Sequence, residues 1–340
     1  MTSLRSFIIM RLILLIPMLW FLVTLVFLLL RVLPGDPIAA VSPQLPESQA
    51  QAIREQLGLD RPILEQYFDF FMRIFRWDFG DSIQSRESVG LELQRVYGPT
   101  IMLSVFAVLI GVPLGIVLGG YAGAKREKAQ DHLVRLFTIA IYATPIFLLG
   151  ILMQITFGIK TGIIPLLPPL GLLTPGATAH FTRYTEIWLI DTLLSGRPDL
   201  TLDILLHLIL PCLCLGLLTA STIARQVRTH MIHQLEQDYV QFSRARGIPE
   251  PAIVYKDTLK NSAIPSIGVI GLLIAILLAG AVLTETTFNI PGLGRYLFDA
   301  IQYRDFPAVQ GCVVLFAIVV GVISLFSDVL YAILDPRIRY

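Results

Sequence analysis

The stretch from Asp238 to Pro251 reads DYVQFSRARGIPEP. It carries Asp238, Arg244, Arg246 and Glu250, and Gly247 interrupts it. On either side lie the runs 204–224 and 261–284, which contain no Asp, Glu, Lys or Arg. Each is close to the roughly 20 residues that a helix needs to cross the hydrocarbon core. A charge at mid-membrane costs about 2.5–3.5 kcal/mol on the insertion scale, so the polar stretch belongs outside the bilayer, between two crossings.

Four further charge-free runs extend this pattern: 12–30, 96–124, 136–159 and 306–327. The composition agrees. Of the 340 residues 55% are hydrophobic and only 15% are charged, and mean hydropathy is +0.71. We therefore expect an all-α polytopic membrane protein of six transmembrane helices. The first run is longer than the apolar core of a signal peptide, about 7–15 residues, and reads as a retained anchor. A net charge of +1 implies no nucleic-acid partner. Cys212, Cys214 and Cys312 all fall in apolar runs and read as small buried hydrophobes, not as a disulfide or a metal site.

Lys and Arg are unevenly shared between the connecting segments. Segments 1–11, 125–135, 225–260 and 328–340 hold 14 in 71 residues, whereas 31–95, 160–203 and 285–305 hold 12 in 130. The positive-inside rule then places both termini in the cytoplasm. The chain divides into 1–31, the N-terminus and first crossing; 32–95, an extracytoplasmic segment; and 96–340, a core of five crossings with a cytoplasmic loop 225–260 and an outer loop 160–203. A seventh charge-free run, 161–182, holds Pro165, Pro168, Pro169 and Pro175 and is expected to be loop. Helices are expected over Gln49 to Leu57 and Ile63 to Ile74, and 184–195 is a candidate interfacial helix.

In the second run Gly111, Gly115, Gly119 and Gly123 recur every fourth residue. Such a ridge allows two helix backbones to approach closely in lipid. The fifth run has a weaker version in Gly271, Ala275 and Ala279. Either ridge serves packing within one bundle or a seam against another membrane subunit. No acidic or basic residue lies deep in a run, which argues against a self-powered carrier, although His207 keeps that alternative open. Asp78-Phe79-Gly80 has no kinase partner motifs, and Gly119 to Arg126 lacks the residues of a phosphate loop. His230 and His233 read as a solvated face. No catalytic or metal-binding residues are expected, and no substrate-binding residue can be named.

Around the opening stretch, Val227, Met231, Leu235, Tyr239 and Phe242 are spaced as one helical stripe. Gly247 suits a left-handed helix end, and Pro249 and Pro251 suit the first turn of a new helix. Ile248, Ala252, Tyr255 and Leu259 would give that helix its own stripe. The segment reads as two short helices with a sharp bend, charged by Arg244, Arg246 and Glu250. Such an element suits docking in a groove of another protein; the alternative is an ordinary solvated loop.

Ala245-Arg246-Gly247, preceded by Asp238-Tyr239-Val240, resembles the cytoplasmic loop of ATP-binding-cassette importer permeases. The interval from Gly247 to Pro265 is similar to that of the dipeptide and oligopeptide branch. The general motif opens Glu-Ala-Ala, where this chain has Gln241, Phe242 and Ser243. Further matching pieces are LPGDP (33–37), LGLDRP (57–62), WDFGDS (77–82), GVPLG (111–115), LLAGAVLTETTFNIPGLG (277–294), RDFPAVQG (304–311) and DPRIR (335–339). The long segment after the first crossing looks like the B-type subunit of such systems. The resemblance implies a type I importer permease in the inner membrane of a prokaryote. It implies a sister permease, two ATPases that bind ATP and Mg, an extracytoplasmic binding protein and a peptide substrate. ATPase coupling would fall to Arg244, Ala245, Arg246, Gly247, Ile248, Pro249 and Glu250. This chain would form half the path and bind no cofactor. Relatives of this branch that carry nickel chelates, glutathione, antimicrobial peptides or sugars share the architecture, and an ATP-independent channel or secondary carrier is the remote alternative.

Overall fold

The computed structural model describes residues 4–32, 51, 60–159, 162–176 and 181–334. Every named element among them is helical. In chain order these are α1 (Leu4–Val32), α2 (Ile63–Ile74), α3 (Val89–Ala124), α4 (Ala129–Ala143), α5 (Ile146–Phe157), α6 (Trp188–Leu194) and α7 (Pro198–Leu235). There follow α8 (Asp238–Ala245), a single turn Glu250–Ala252 that runs into a π-helical segment Ile253–Thr258, then α9 (Leu259–Phe288), α10 (Leu293–Gln302) and α11 (Phe306–Leu334).

Among the described residues, four helical stretches are long and apolar enough to cross a membrane: Ile8–Leu28, Val89–Ala124, Pro198–Leu235 and Phe306–Ser327. The expected run 136–159 is not one straight helix. It is split between α4 and α5, which meet at 107°. The cause is local. Pro145 has no N–H to continue the helix and disfavours a helical conformation at Thr144, which is extended at φ −80°, ψ 126°. As one broken span this pair makes a fifth crossing. The run 261–284 falls in the 30-residue helix α9, part of whose side chains lie outside the described residues.

The centre of the bundle is the parallel pair α3 and α7, and the glycine ridge is its contact line. A Cβ on Gly111 would stand 2.6 Å from the Gly216 carbonyl oxygen, one on Gly115 2.8 Å from that of Ala220, and one on Gly119 2.5 Å from that of Ala224. At Gly123 a Cβ would meet the Met231 Cβ at 2.6 Å. The ridge therefore packs inside this chain, with no room for any side chain. Gly271, Ala275 and Ala279 lie on α9, but their side chains are outside the described residues.

Because α3 and α7 run in parallel, their ends sort the connecting segments. At one end lie 125–131 and 225–262: Arg126 reaches Glu236 at 2.8 Å, and a Cβ on Gly120 would meet Leu259 at 2.4 Å. At the other end lie 78–100, 185–201 and 285–310. There the Tyr97 hydroxyl donates to the Thr185 carbonyl at 2.5 Å, and the Thr100 hydroxyl donates to Glu285 at 2.6 Å. Two of the four Lys- and Arg-rich segments, 125–135 and 225–260, thus share one end.

The outer connections are partly helical. α2 spans Ile63–Ile74, and α6 occupies 188–194 of the candidate 184–195. The expected helix 49–57 lies outside the described residues apart from Gln51. The described part of the proline-rich 161–182 contains no helix.

Candidate functional site

The polar elbow is built on a break in α7. Its helix ends at Leu235, and Glu236 and Gln237 separate it from α8. The expected single stripe from Val227 to Phe242 is accordingly interrupted. Val227 and Met231 are fully buried, but Phe242 is 64% exposed and Val240 takes the inward position. Restarting the helix after two non-helical residues rotates its face, which a continuous period cannot register.

α8 closes with paired C-terminal hydrogen bonds. Gly247 N–H donates to the Arg244 carbonyl at 2.9 Å, and Ile248 N–H donates to that of Ser243 at 3.2 Å. This is the Schellman arrangement, which requires a left-handed residue at the first position past the cap. Gly247 supplies it at φ +74°. Nothing lies within 4 Å of a Cβ placed there, so the backbone angle alone, not a neighbour, selects glycine. Pro249 then stands as the N-cap of the turn Glu250–Ala252, with Pro251 in its first positions.

Arg244 and Glu250 face each other across the bend. Arg244 Nη2 donates to Glu250 Oε1 at 2.6 Å and Nε to Oε2 at 3.1 Å, a two-pronged brace. The Arg244 hydrogen bonds hold the Glu250 carboxyl below its usual range. The guanidinium of Arg246 sits 5.8 Å from the Phe242 ring. Among the described residues Arg246 has no ion-pair partner. Ala245 and Arg246 are exposed, and Ile248 is half-buried. The site residues therefore divide: Arg244 and Glu250 shape the elbow, while Arg246 and Phe242 form its outward surface.

The second arm departs from the expected stripe. Residues 253–258 are π-helical, and Thr258 Oγ1 donates to the Ile253 carbonyl at 2.8 Å. The wider turn moves successive side chains off the 3.6-residue period. Ile253 and Val254 are buried, whereas Tyr255 is 46% exposed.

Below the elbow, one ion pair fixes α7 to the start of α4. Arg228 donates to both oxygens of Asp131, at 2.6 and 2.7 Å, and Asp131 is fully buried. The Asp131 carboxylate also accepts the N–H of Glu127 at 3.0 Å. Sequence reading missed this clamp, because partners 97 positions apart leave no periodic trace. The same is true of the opposite end. There Glu285, fully buried, accepts from Thr100 and from the Arg295 N–H at 2.8 Å. Asp305, also buried, accepts from the Ser82 hydroxyl at 2.5 Å. The motifs containing Glu285 and Asp305 were visible; their inward direction was not.

Among the described residues no three His, Cys, Asp or Glu side chains gather to hold a metal. His230 and His233 have no such group around them, and the three cysteines are buried thiols. The site offers no nucleophile paired with a base. It offers a braced bend between two long helices.

Residues 111–340 match the family model described as binding-protein-dependent transport system inner membrane component, and residues 4–89 match that of its N-terminal part. The chain is 38% identical over 338 residues to the di/tripeptide transport system permease protein of Pseudomonas aeruginosa, covering 98% of this chain and 99% of that one. It is 34% identical to the dipeptide transport system permease protein of Escherichia coli K12, over the same shares. It is also 34% identical to the glutathione transport system permease protein of Salmonella typhimurium, again over 98% of this chain and 99% of the relative.

Proposed function

The chain belongs to the family of binding-protein-dependent transport system inner membrane components, and on that premise we propose that it imports peptides as one half of an ATP-driven path. It is an all-α polytopic permease of the inner membrane. A sister permease would supply the other half, and an extracytoplasmic binding protein would deliver di- or oligopeptides. Two ATPases, which bind ATP and Mg, would dock on the elbows. Six crossings with both termini in the cytoplasm would complete this arrangement. The meeting of two Lys- and Arg-rich segments, 125–135 and 225–260, at the elbow's end of the bundle suits it.

The observation that carries the reading is the elbow itself. Two helical arms meet at a left-handed glycine, are braced by Arg244 and Glu250, and present Arg246 and Phe242 outward. A loop that only joined two crossings would need none of these devices. Arms fixed to α7 and continuous with α9 would transmit a pull on the elbow into the bundle. Replacing Arg246 by Glu should release ATPase subunits during purification and abolish uptake of labelled dialanine. Unchanged co-purification and uptake would refute the docking.

Glutathione is the second reading, supported by a relative as similar as the Escherichia coli dipeptide permease. Competition of dialanine uptake by unlabelled glutathione separates the two. Peptide import predicts no competition.

A further inference from the structure

Helix α2 has a wider apolar arc than its protein contacts use. One part faces α1: the Phe27 ring lies 5.4 Å from that of Tyr67 and 5.5 Å from that of Phe70. Thr24 Oγ1 and the Tyr67 hydroxyl share a hydrogen bond of 2.8 Å. Further round the helix come Leu64, Phe68, Met72 and Phe75, which are 69%, 65%, 57% and 74% exposed. Their spacing of four, four and three makes one stripe. The polar residues Glu65, Asp69 and Arg73 occupy the remaining side. They pair within this segment, Arg61 with Asp69 and Arg73 with Asp78, each at 2.9 Å.

The contacts with α1 set the depth. Thr24 and Phe27 belong to the charge-free run 12–30 and precede Arg31, the first charge after it, by seven and four residues. At 1.5 Å per residue they lie about 10 and 6 Å inside that charge. An interfacial helix buries its apolar face by about 5–10 Å. The crossing it packs on is itself exposed and apolar, with Phe21, Leu25 and Leu28 62%, 41% and 46% exposed. Trp77, 40% exposed just beyond α2, is a residue type enriched at membrane interfaces.

We propose that α2 is an interfacial helix whose face of Leu64, Phe68, Met72 and Phe75 is seated in the lipid of the leaflet at the elbow-distal end of the bundle. Its polar side then faces water. Its inner side ties the first crossing to the segment that leads into α3, so the lipid surface fixes the tilt of that segment.

Single cysteines at Leu64, Phe68, Met72 and Asp69 test this. The native cysteines are buried, so an environment-sensitive fluorophore would report the new position. The labelled full chain is placed in phosphatidylethanolamine–phosphatidylglycerol nanodiscs, with and without nitroxide-labelled lipid, and with the sister permease present or absent. Labels at 64, 68 and 72 should be quenched about twofold more by lipid nitroxide than the label at 69, which should respond to aqueous iodide. Three positions guard against one failed insertion. Iodide quenching at all four would overturn the proposal, because the stripe would lie in water. Shielding from both quenchers, or loss of lipid quenching when the sister subunit is added, would also overturn it and assign the face to protein.

Discussion

A Cβ on Gly119 would stand 2.5 Å from the carbonyl oxygen of Ala224 and 2.9 Å from its Cα. The α3–α7 seam is therefore backbone against backbone at this point. Neither neighbour can rotate away, since both atoms are main chain. Replacing Gly119 by Ala must separate the helices, and overpacking of this kind costs typically about 1–3 kcal/mol. The variant should melt earlier in detergent. Val117→Leu, two positions earlier and 61% exposed, should melt like the parent. Equal melting of Gly119→Ala and parent would refute the seam.

The clamp between Asp131 and Arg228 ties α4 to α7 close to the elbow's end of the bundle. Asp131→Asn keeps the shape and removes the charge that Arg228 is paired with. Hydrogen bonds to charged groups are worth about 1.5–3 kcal/mol, so the variant should lose stability of that order. Mutating both, Asp131→Asn with Arg228→Gln, should cost less than the sum of the single changes, because neither leaves a charge unpaired. Additive losses in unfolding measurements would show that the pair is not coupled.

The brace between Arg244 and Glu250 is exposed, 45% and 54% by side chain. Exposed pairs contribute little to stability, about 0–1 kcal/mol. Its removal should therefore spare melting while loosening the bend. The swap Arg244→Glu with Glu250→Arg restores opposite charges across the elbow and should recover much of the uptake that either single reversal loses. If both residues instead touched an ATPase directly, the swap would be as inactive as the single changes.

The pH dependence of this brace has a definite sign. Arg244 lowers the Glu250 carboxyl from its ordinary 4.5. A depressed carboxyl contributes fully above its unfolded value and loses the contribution as pH falls through the folded one. The brace is thus constant between pH 5 and 8. The uptake ratio of Glu250→Gln to parent should stay flat across that window. A ratio that climbs towards one near pH 6 would contradict the assignment.

Much of this architecture was legible in residue order alone. The charge-free runs located the long helices, and the four-residue glycine period located the α3–α7 seam without identifying its partner. Gly247 followed from chemistry, because a left-handed end has few occupants. What escaped was set by single local events or by distant partners. Thr144 and Pro145 broke a run that hydropathy treats as continuous. The π-helical turn at 253–258 shifted Tyr255 outward and Ile253 inward. Asp131 and Arg228, like Glu285 and Thr100, are paired only once the bundle has formed, and no spacing in the chain announces them.

Gly247→Val measures the central claim most directly, with peptide uptake and ATP hydrolysis followed in the reconstituted transporter. The left-handed angle costs a side-chain-bearing residue about 1–2 kcal/mol, a factor of about 5–30 in an equilibrium. With nothing packed against the position, the cost falls on the bend itself, so membrane insertion should persist while uptake per ATP hydrolysed falls by several-fold or more. Full uptake with parental coupling in Gly247→Val would contradict the account.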